Sequence, residues 1–240
     1  VVEKLFIAST LNHLLVFTSI GKIYWLRVFS IPDVSRIAKG KSIANLLRLQ
    51  PGETIASILS VKEFEEGKFV MVATERGIVK KTSLMAYSKP RQGGIIGLTI
   101  DDGDRVIGAE LCDGESEILL ATQKGFSIRF PEQEVRPIGR TGRGVRGIRL
   151  KDSDYVVGAE IVKPGNKLLT VTSKGYGKRT LMEEYPIQGR GGLGVMTIRC
   201  NEKIGSVVGV QQVDEEDQLL VITSDGNIVR MRVNEISLIG

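Results

Sequence analysis

Leu119-Leu120-Ala121-Thr122-Gln123-Lys124-Gly125 is an apolar run that stops at a threonine and turns at a glycine, and Phe126-Ser127-Ile128-Arg129-Phe130 leaves that glycine as a second run. Two such runs joined by a short segment ending in Gly describe a β-hairpin, the glycine supplying the positive φ at which a bulged loop closes. The reading recurs at Leu15-Val16-Phe17-Thr18-Ser19-Ile20-Gly21, Met71-Val72-Ala73-Thr74-Glu75-Arg76-Gly77, Leu169-Thr170-Val171-Thr172-Ser173-Lys174-Gly175 and Leu220-Val221-Ile222-Thr223-Ser224-Asp225-Gly226. The repeat glycines lie 56, 48, 50 and 51 residues apart. A period of roughly 50 residues is that of a four-stranded propeller blade.

Two further elements share the period. A Gly-rich basic stretch leads into a short apolar one at Arg91-Gln92-Gly93-Gly94-Ile95-Ile96, Arg140-Thr141-Gly142-Arg143-Gly144-Val145 and Arg190-Gly191-Gly192-Leu193-Gly194-Val195, with Ala38-Lys39-Gly40-Lys41-Ser42-Ile43 as a looser first copy. Val106-Ile107-Gly108-Ala109-Glu110 then recurs as Val156-Val157-Gly158-Ala159-Glu160 and Val207-Val208-Gly209-Val210. Each repeat therefore holds about four strands. A lone blade cannot bury both faces, so the copies must stack in a radial or spiral array. We expect one all-β domain over residues 1–240, with about five blades and the last incomplete. The strand-like opening Val1–Ile7 and the stop in mid-pattern at Gly240 read as a fragment of a longer chain.

Composition agrees. Hydrophobic residues are 42% of the chain, enough for a substantial core, while 28 glycines and only 5% aromatics suit short strands and tight turns. Cys112 and Cys200 show neither metal-ligand spacing nor a disulfide framework, which fits a reducing compartment. No apolar run reaches the length of a membrane span, and no signal leader is visible.

The net charge of +5 is modest, but its distribution is periodic. Lys124, Arg129, Arg136, Arg140, Arg143, Arg146, Arg149 and Lys151 stand in one stretch against Glu132 and Glu134. The stretch before it inverts the balance, with Asp101, Asp102, Asp104, Glu110, Asp113, Glu115 and Glu117 facing only Arg105. Arg36, Lys39 and Lys41 open a similar alternation, and Lys178, Arg179, Arg190 and Arg199 repeat it. Position four after the repeat glycine is Lys81, Arg129, Arg179 or Arg230, with Trp25 in the first copy. Charge periodic in sequence becomes a stripe in a repeat fold, and the polyanion that matches a stripe is duplex DNA.

The candidate DNA-binding set is Arg36, Lys39, Lys41, Lys80, Lys81, Lys89, Arg91, Arg129, Arg136, Arg140, Arg143, Arg146, Lys178, Arg179, Arg190 and Arg230. The Gly-rich loops are expected to add backbone N–H groups that approach phosphate closely. Few aromatics speak against single-strand stacking, and the lack of a helix for the major groove speaks against base readout. Backbone contact with bending remains. A propeller used as a protein-interaction scaffold is the alternative from another class, since a DNA rim leaves the acidic segments unused.

Catalytic motifs fail on context. Gly142-Arg143-Gly144-Val145-Arg146-Gly147 matches a dinucleotide fingerprint in letters, but Ile148-Arg149-Leu150 after it reads as strand where a helix is required. Gly40-Lys41-Ser42 lacks the glycine that a phosphate-binding loop needs at position 35, which is Ser. His13 is the only histidine and has no evident nucleophile beside it. We expect no enzyme activity, no metal and no cofactor in this stretch.

With Lys22-Ile23-Tyr24-Trp25-Leu26-Arg27-Val28, Ile43-Ala44-Asn45-Leu46-Leu47, Gly139-Arg140-Thr141-Gly142-Arg143-Gly144-Val145-Arg146-Gly147-Ile148 and the repeated hairpins in this order, the chain resembles the C-terminal domain of DNA gyrase A over essentially its whole length. The resemblance implies a six-bladed β-pinwheel that wraps duplex DNA on its outer edge and so supports ATP-dependent negative supercoiling by a type IIA topoisomerase. It implies the rest of gyrase A and gyrase B as partners in a heterotetramer, ATP and Mg2+ bound elsewhere in the holoenzyme, a catalytic tyrosine outside this stretch, and a bacterial, nucleoid-associated cytoplasmic setting with no membrane contact. The family's box Gln-Arg-Arg-Gly-Gly-Lys-Gly is absent, its nearest relative being Gln188-Gly189-Arg190-Gly191-Gly192-Leu193-Gly194. The related C-terminal domain of topoisomerase IV, which binds DNA without needing to wrap it tightly, therefore stays open.

Overall fold

A computed structural model describes residues 7–35, 38, 42–223 and 226–240. Arg36, Lys39, Lys41 and nearly all of the strand expected over 1–7 lie outside the described residues.

Each repeat begins with the hairpin that its sequence dictates. The pairs are β1 (His13–Thr18) with β2 (Lys22–Arg27), β4 (Phe69–Thr74) with β5 (Ile78–Ser83), β8 (Glu117–Thr122) with β9 (Phe126–Pro131), β12 (Lys167–Thr172) with β13 (Gly177–Leu181), and β16 (Gln218–Ile222) with β17 (Ile228–Arg232). Gly125 sits at φ +85°, and its N–H bonds back to the Thr122 carbonyl at 3.0 Å. The threonine is specific too. Its buried hydroxyl closes the same turn, accepting from the Ile78 N–H in Thr74 and from the Phe126 N–H in Thr122, each at 3.2 Å.

The third strand of a repeat joins the first strand of its hairpin: β3 (Ile55–Val61) on β1, β7 (Val106–Cys112) on β4, β11 (Val156–Ile161) on β8 and β15 (Val207–Val213) on β12. The first hairpin strand is thus central and covered on both faces, which is why it reads as an unbroken apolar run. In β1, Leu14 and Val16 pack with Tyr24, Leu26 and Leu47, whereas Leu15 and Phe17 face a core with Ile23, Val70, Val72 and Tyr87.

The fourth strand departs from the expectation that each repeat builds its own sheet. The two-residue strands β6 (Ile95–Ile96), β10 (Val145–Arg146) and β14 (Val195–Met196) pair with β2, β5 and β9, the outer hairpin strands of the preceding repeat. The sheet orders are β3-β1-β2-β6, β10-β5-β4-β7 and β11-β8-β9-β14, followed by β13-β12-β15 and β16-β17. Strand exchange makes the repeats mutually dependent, since no sheet of four strands comes from one copy alone.

The chain divides into two compact units. One holds Ala8–Glu115 with Glu132–Gly147, and the other holds Ser116–Pro131 with Ile148–Gly240. The third repeat is split because its Gly-rich segment supplies β10 to the sheet of β5. The first unit is centred on the core shared by its two sheets. In the second, Leu119, Ala121, Leu168, Met182 and Tyr185 form one cluster and Leu169, Val213 and Val233 another.

Candidate nucleic-acid interface

The Gly-rich basic segments are the exchange segments. Each leaves a one-turn 3₁₀ helix (Leu84–Tyr87, Glu132–Glu134 or Met182–Glu184), crosses the preceding repeat's outer strand and ends on it as β6, β10 or β14. The register is the same in all three. The N–H groups of Gly97, Gly147 and Thr197 donate to the carbonyls of the repeat glycines Gly21, Gly77 and Gly125, each at 2.8 Å.

The glycines serve this docking. Gly94, Gly144 and Gly194 have φ of +71°, +94° and +74°, and a Cβ built on them would lie 3.0, 2.5 and 2.2 Å from the carbonyl oxygens of Ile23, Val79 and Ser127. Only glycine lets the segment lie this close to the strand below. Two of the N–H groups expected to face phosphate are already committed, Gly94 to the Arg91 carbonyl and Gly142 to the Gly139 carbonyl, both at 3.0 Å. The charged chemistry these segments offer is their cationic side chains.

In the first unit Lys89, Arg91, Arg136, Arg143 and Arg146 are exposed and Arg140 is half-buried. Arg143 shares its charge with Asp101 at 2.9 Å, both side chains lying in solvent. In the second unit Arg230 is exposed, and Lys178 and Arg190 are half-buried. Burial pushes the pKa of Lys178 below the ordinary lysine range, with Glu184 acting the other way. Arg149, Lys151 and Arg199, cations of the basic halves outside the candidate set, are exposed as well.

In the second, third and fourth copies, position four after the repeat glycine does not belong to this surface, which corrects the reading of Lys81, Arg129 and Arg179 as rim cations; Arg230, in the fifth copy, is exposed. Lys81 is 3% exposed; its ammonium donates to the Glu132 carbonyl at 3.1 Å and pairs with the Glu132 carboxylate at 3.2 Å. Arg129 is half-buried; it donates to the Met182 and Tyr185 carbonyls at 2.7 and 3.3 Å and pairs with Glu117. Arg179 is 5% exposed and donates to the Ile236 and Asn234 carbonyls at 2.8 and 3.4 Å and to Glu215 at 2.6 Å. Trp25 does the same with an indole N–H, donating to the Tyr87 carbonyl at 2.7 Å.

Every acceptor carbonyl lies in, or directly after, the 3₁₀ turn of the following repeat, Val233–Glu235 in the last case; those of Glu132 and Met182 also close their turns, accepting from the Val135 and Tyr185 N–H groups at 2.9 and 3.2 Å. Backbone bonds extend the latch: Ile138, Gln188 and Ile239 donate to the carbonyls of Lys81, Arg129 and Arg179 at 2.9, 2.8 and 2.8 Å. Position four is thus a donor that fastens the start of the exchange segment. Lys80, also in the candidate set, is 1% exposed and is withdrawn for the same reason.

One aspartate in each of two acidic stretches serves a hairpin turn. Asp104 accepts from the N–H groups of Arg76 and Arg105 at 2.9 and 2.8 Å, and Asp154 accepts from those of Lys124 and Tyr155 at 3.0 and 2.9 Å. Among the described residues, no group of His, Cys, Asp and Glu is arranged to hold a metal ion.

The profile of the family described as DNA gyrase C-terminal domain, beta-propeller, matches residues 12–62, 68–113, 116–163, 166–214 and 217–240. The chain is 46% identical over 239 residues to DNA gyrase A of Salmonella typhimurium strain LT2, covering 100% of this chain and 27% of that protein. It thus spans about a quarter of the length of such relatives. Among solved structures, it is similar to the C-terminal domain of DNA topoisomerase IV (TM-score 0.87, 27% identity, 96% of this chain and 72% of that one). It is also similar to a DNA gyrase A C-terminal domain (TM-score 0.85, 26% identity, 97% and 76%). Repeated hairpins, exchanged outer strands and a family match that runs through all five repeats lead to one assignment: the chain belongs to the β-propeller family of DNA gyrase C-terminal domains, whose fold is the β-pinwheel.

Proposed function

We propose that this chain is the DNA-wrapping part of a gyrase A protein: all its repeats form one pinwheel domain that binds duplex DNA without base readout and contributes no catalytic residue. One observation carries the reading. The same exchange register in successive repeats leaves cations on the outward side of each Gly-rich segment, from Lys89 and Arg91 through Arg136, Arg140, Arg143 and Arg146 to Arg190. These residues, with Lys178 and Arg230, are the proposed phosphate contacts. Cations spaced along segments that dock on a sheet edge suit backbone contact, in which affinity comes from counterion release and specificity from the bending that the DNA allows. In the whole enzyme the wrapped segment would serve strand passage and ATP-dependent negative supercoiling, with the remainder of gyrase A and gyrase B as partners, on the bacterial nucleoid.

The similarity to a topoisomerase IV C-terminal domain favours a second reading, in which DNA is bound but not tightly wrapped. Ligation of nicked circular DNA with increasing amounts of this chain separates the two. Wrapping predicts a shift in the linking number of the closed product that grows with protein bound. Binding with no shift leaves the topoisomerase IV reading, and no binding overturns both.

A further inference from the structure

Lys80 is the most deeply buried lysine of the described chain, and it is held by carbonyls alone. It lies in β5 beside Lys81, and successive strand residues point to opposite faces. Lys81 turns to Glu132, whereas the Lys80 ammonium donates to the Gly97 carbonyl at 2.6 Å and to the Arg140 carbonyl. Gly97 ends the exchange segment of the second repeat, and Arg140 belongs to that of the third. Thr99 crosses between the same two segments, its hydroxyl donating to the Thr141 carbonyl at 2.7 Å and its N–H to the Gly142 carbonyl at 3.4 Å. All of these groups belong to one compact unit.

We propose that Lys80 is a positioning residue for the DNA interface: without touching DNA, it clamps two consecutive basic segments together, so that Arg91, Arg140 and Arg143 are presented in one fixed arrangement. The proposal rests on the DNA-binding reading for its purpose, but the clamp itself can be tested without DNA. Burial, and after it the Arg140 guanidinium, hold the Lys80 pKa down to about 8. The same Arg140 guanidinium acts on the Tyr87 hydroxyl, whose pKa burial pushes up to about 12. A neutral amine keeps two N–H donors, enough for both carbonyls, so losing the proton removes the cost of the buried charge and leaves the clamp in place.

The sign follows by linkage. Between pH 8 and the ordinary lysine range near 10.5, the seated state holds fewer protons than the released one, and seating tightens as pH rises, by at most about tenfold per pH unit.

The test is amide hydrogen exchange, corrected for intrinsic rates, on wild type and Lys80→Met. In the variant, Gly97, Thr99 and Gly142 are expected to exchange at least about tenfold faster, while Thr197 in the other unit is unchanged. In wild type, protection of the first three should rise from pH 8 to 10, and Lys80→Met should abolish that rise. Equal exchange in the two proteins, or no rise in wild type, overturns the clamp. If Lys80→Met does not fold, the wild-type pH series decides alone.

Duplex DNA binding is then measured at fixed pH. A positioning role predicts that Lys80→Met lowers the slope of log affinity against log salt by about two or more, because several cations lose their register. A loss of about one with unchanged exchange would mark Lys80 as an ordinary phosphate contact and refute the proposal. Wild type that fails to bind DNA would sink the functional reading, while the exchange data would still judge the clamp.

Discussion

Lys81→Met is expected to lower the stability of the chain by about 3–5 kcal/mol in denaturant unfolding, the cost of leaving one member of a buried ion pair without its partner. Glu132 has no exposed surface, and besides Lys81 it accepts the Gly114 N–H at 3.0 Å. It also lies against the Cys112 thiol, whose pKa burial and the Glu132 carboxylate push far up. Nothing at this site can hydrate the carboxylate once the ammonium is gone. Adding Glu132→Gln to Lys81→Met removes the stranded charge and should recover more than half of the loss. Arg179→Met should cost less, about 1.5–3 kcal/mol, because its partner Glu215 is 44% exposed and can return to water. If Lys81→Met proves no worse than the substitution of an exposed lysine such as Lys89, the latch is not a structural element, and position four returns to the surface where its charge first placed it.

Gly194→Ala is expected to destabilise by about 2–5 kcal/mol, combining roughly 1–2 for a left-handed alanine with about 1–3 for overpacking against a backbone that cannot retreat. The added Cβ would sit 2.2 Å from the Ser127 carbonyl oxygen, on the strand that receives β14. Two other glycines separate the contributions. Gly175 has φ +78° but nothing within 4 Å of an added Cβ, so Gly175→Ala should cost only the conformational part. Gly189 has neither restriction and should tolerate alanine with little change or a slight gain. Equal losses at Gly194 and Gly175 would show that close docking of the exchange segment contributes nothing beyond the turn itself.

The hairpins were legible because one local pattern contains their whole cause: apolar run, threonine and glycine lie within a few residues, and each makes its bond within the turn. Strand exchange was not. Ile95-Ile96 is only two residues long, and its partner Lys22-Ile23 lies in the preceding repeat's hairpin, so nothing local marks it as the outer strand of another copy.

Charge misled at position four for a related reason. A cation that neutralises a carboxylate in the next repeat looks, in one dimension, like a cation that awaits a phosphate. Two signals were nonetheless present. Trp25 occupies the position in the first copy, and an indole shares with Lys and Arg a long N–H donor but no charge. Lys80 and Lys81 are adjacent in a strand, so they point to opposite faces and could not both line one rim. The glycines of the basic segments were legible as unusual backbone, but what they approach is the neighbouring strand's carbonyls.

The central claim is that the cations left on the exchange segments hold duplex DNA by its phosphates. It is tested most directly by measuring the affinity of this chain for duplex DNA of mixed sequence from 50 to 200 mM salt, alone and with Arg140, Arg143 and Arg146 all replaced by Ala. If about 6–10 phosphates are contacted, log affinity should fall linearly with log salt, the loss over this range reaching about 10³–10⁵. The triple variant should weaken binding equally for all sequences and reduce the slope by about three. A flat salt response, or a triple variant with the slope of the wild type, would contradict the account.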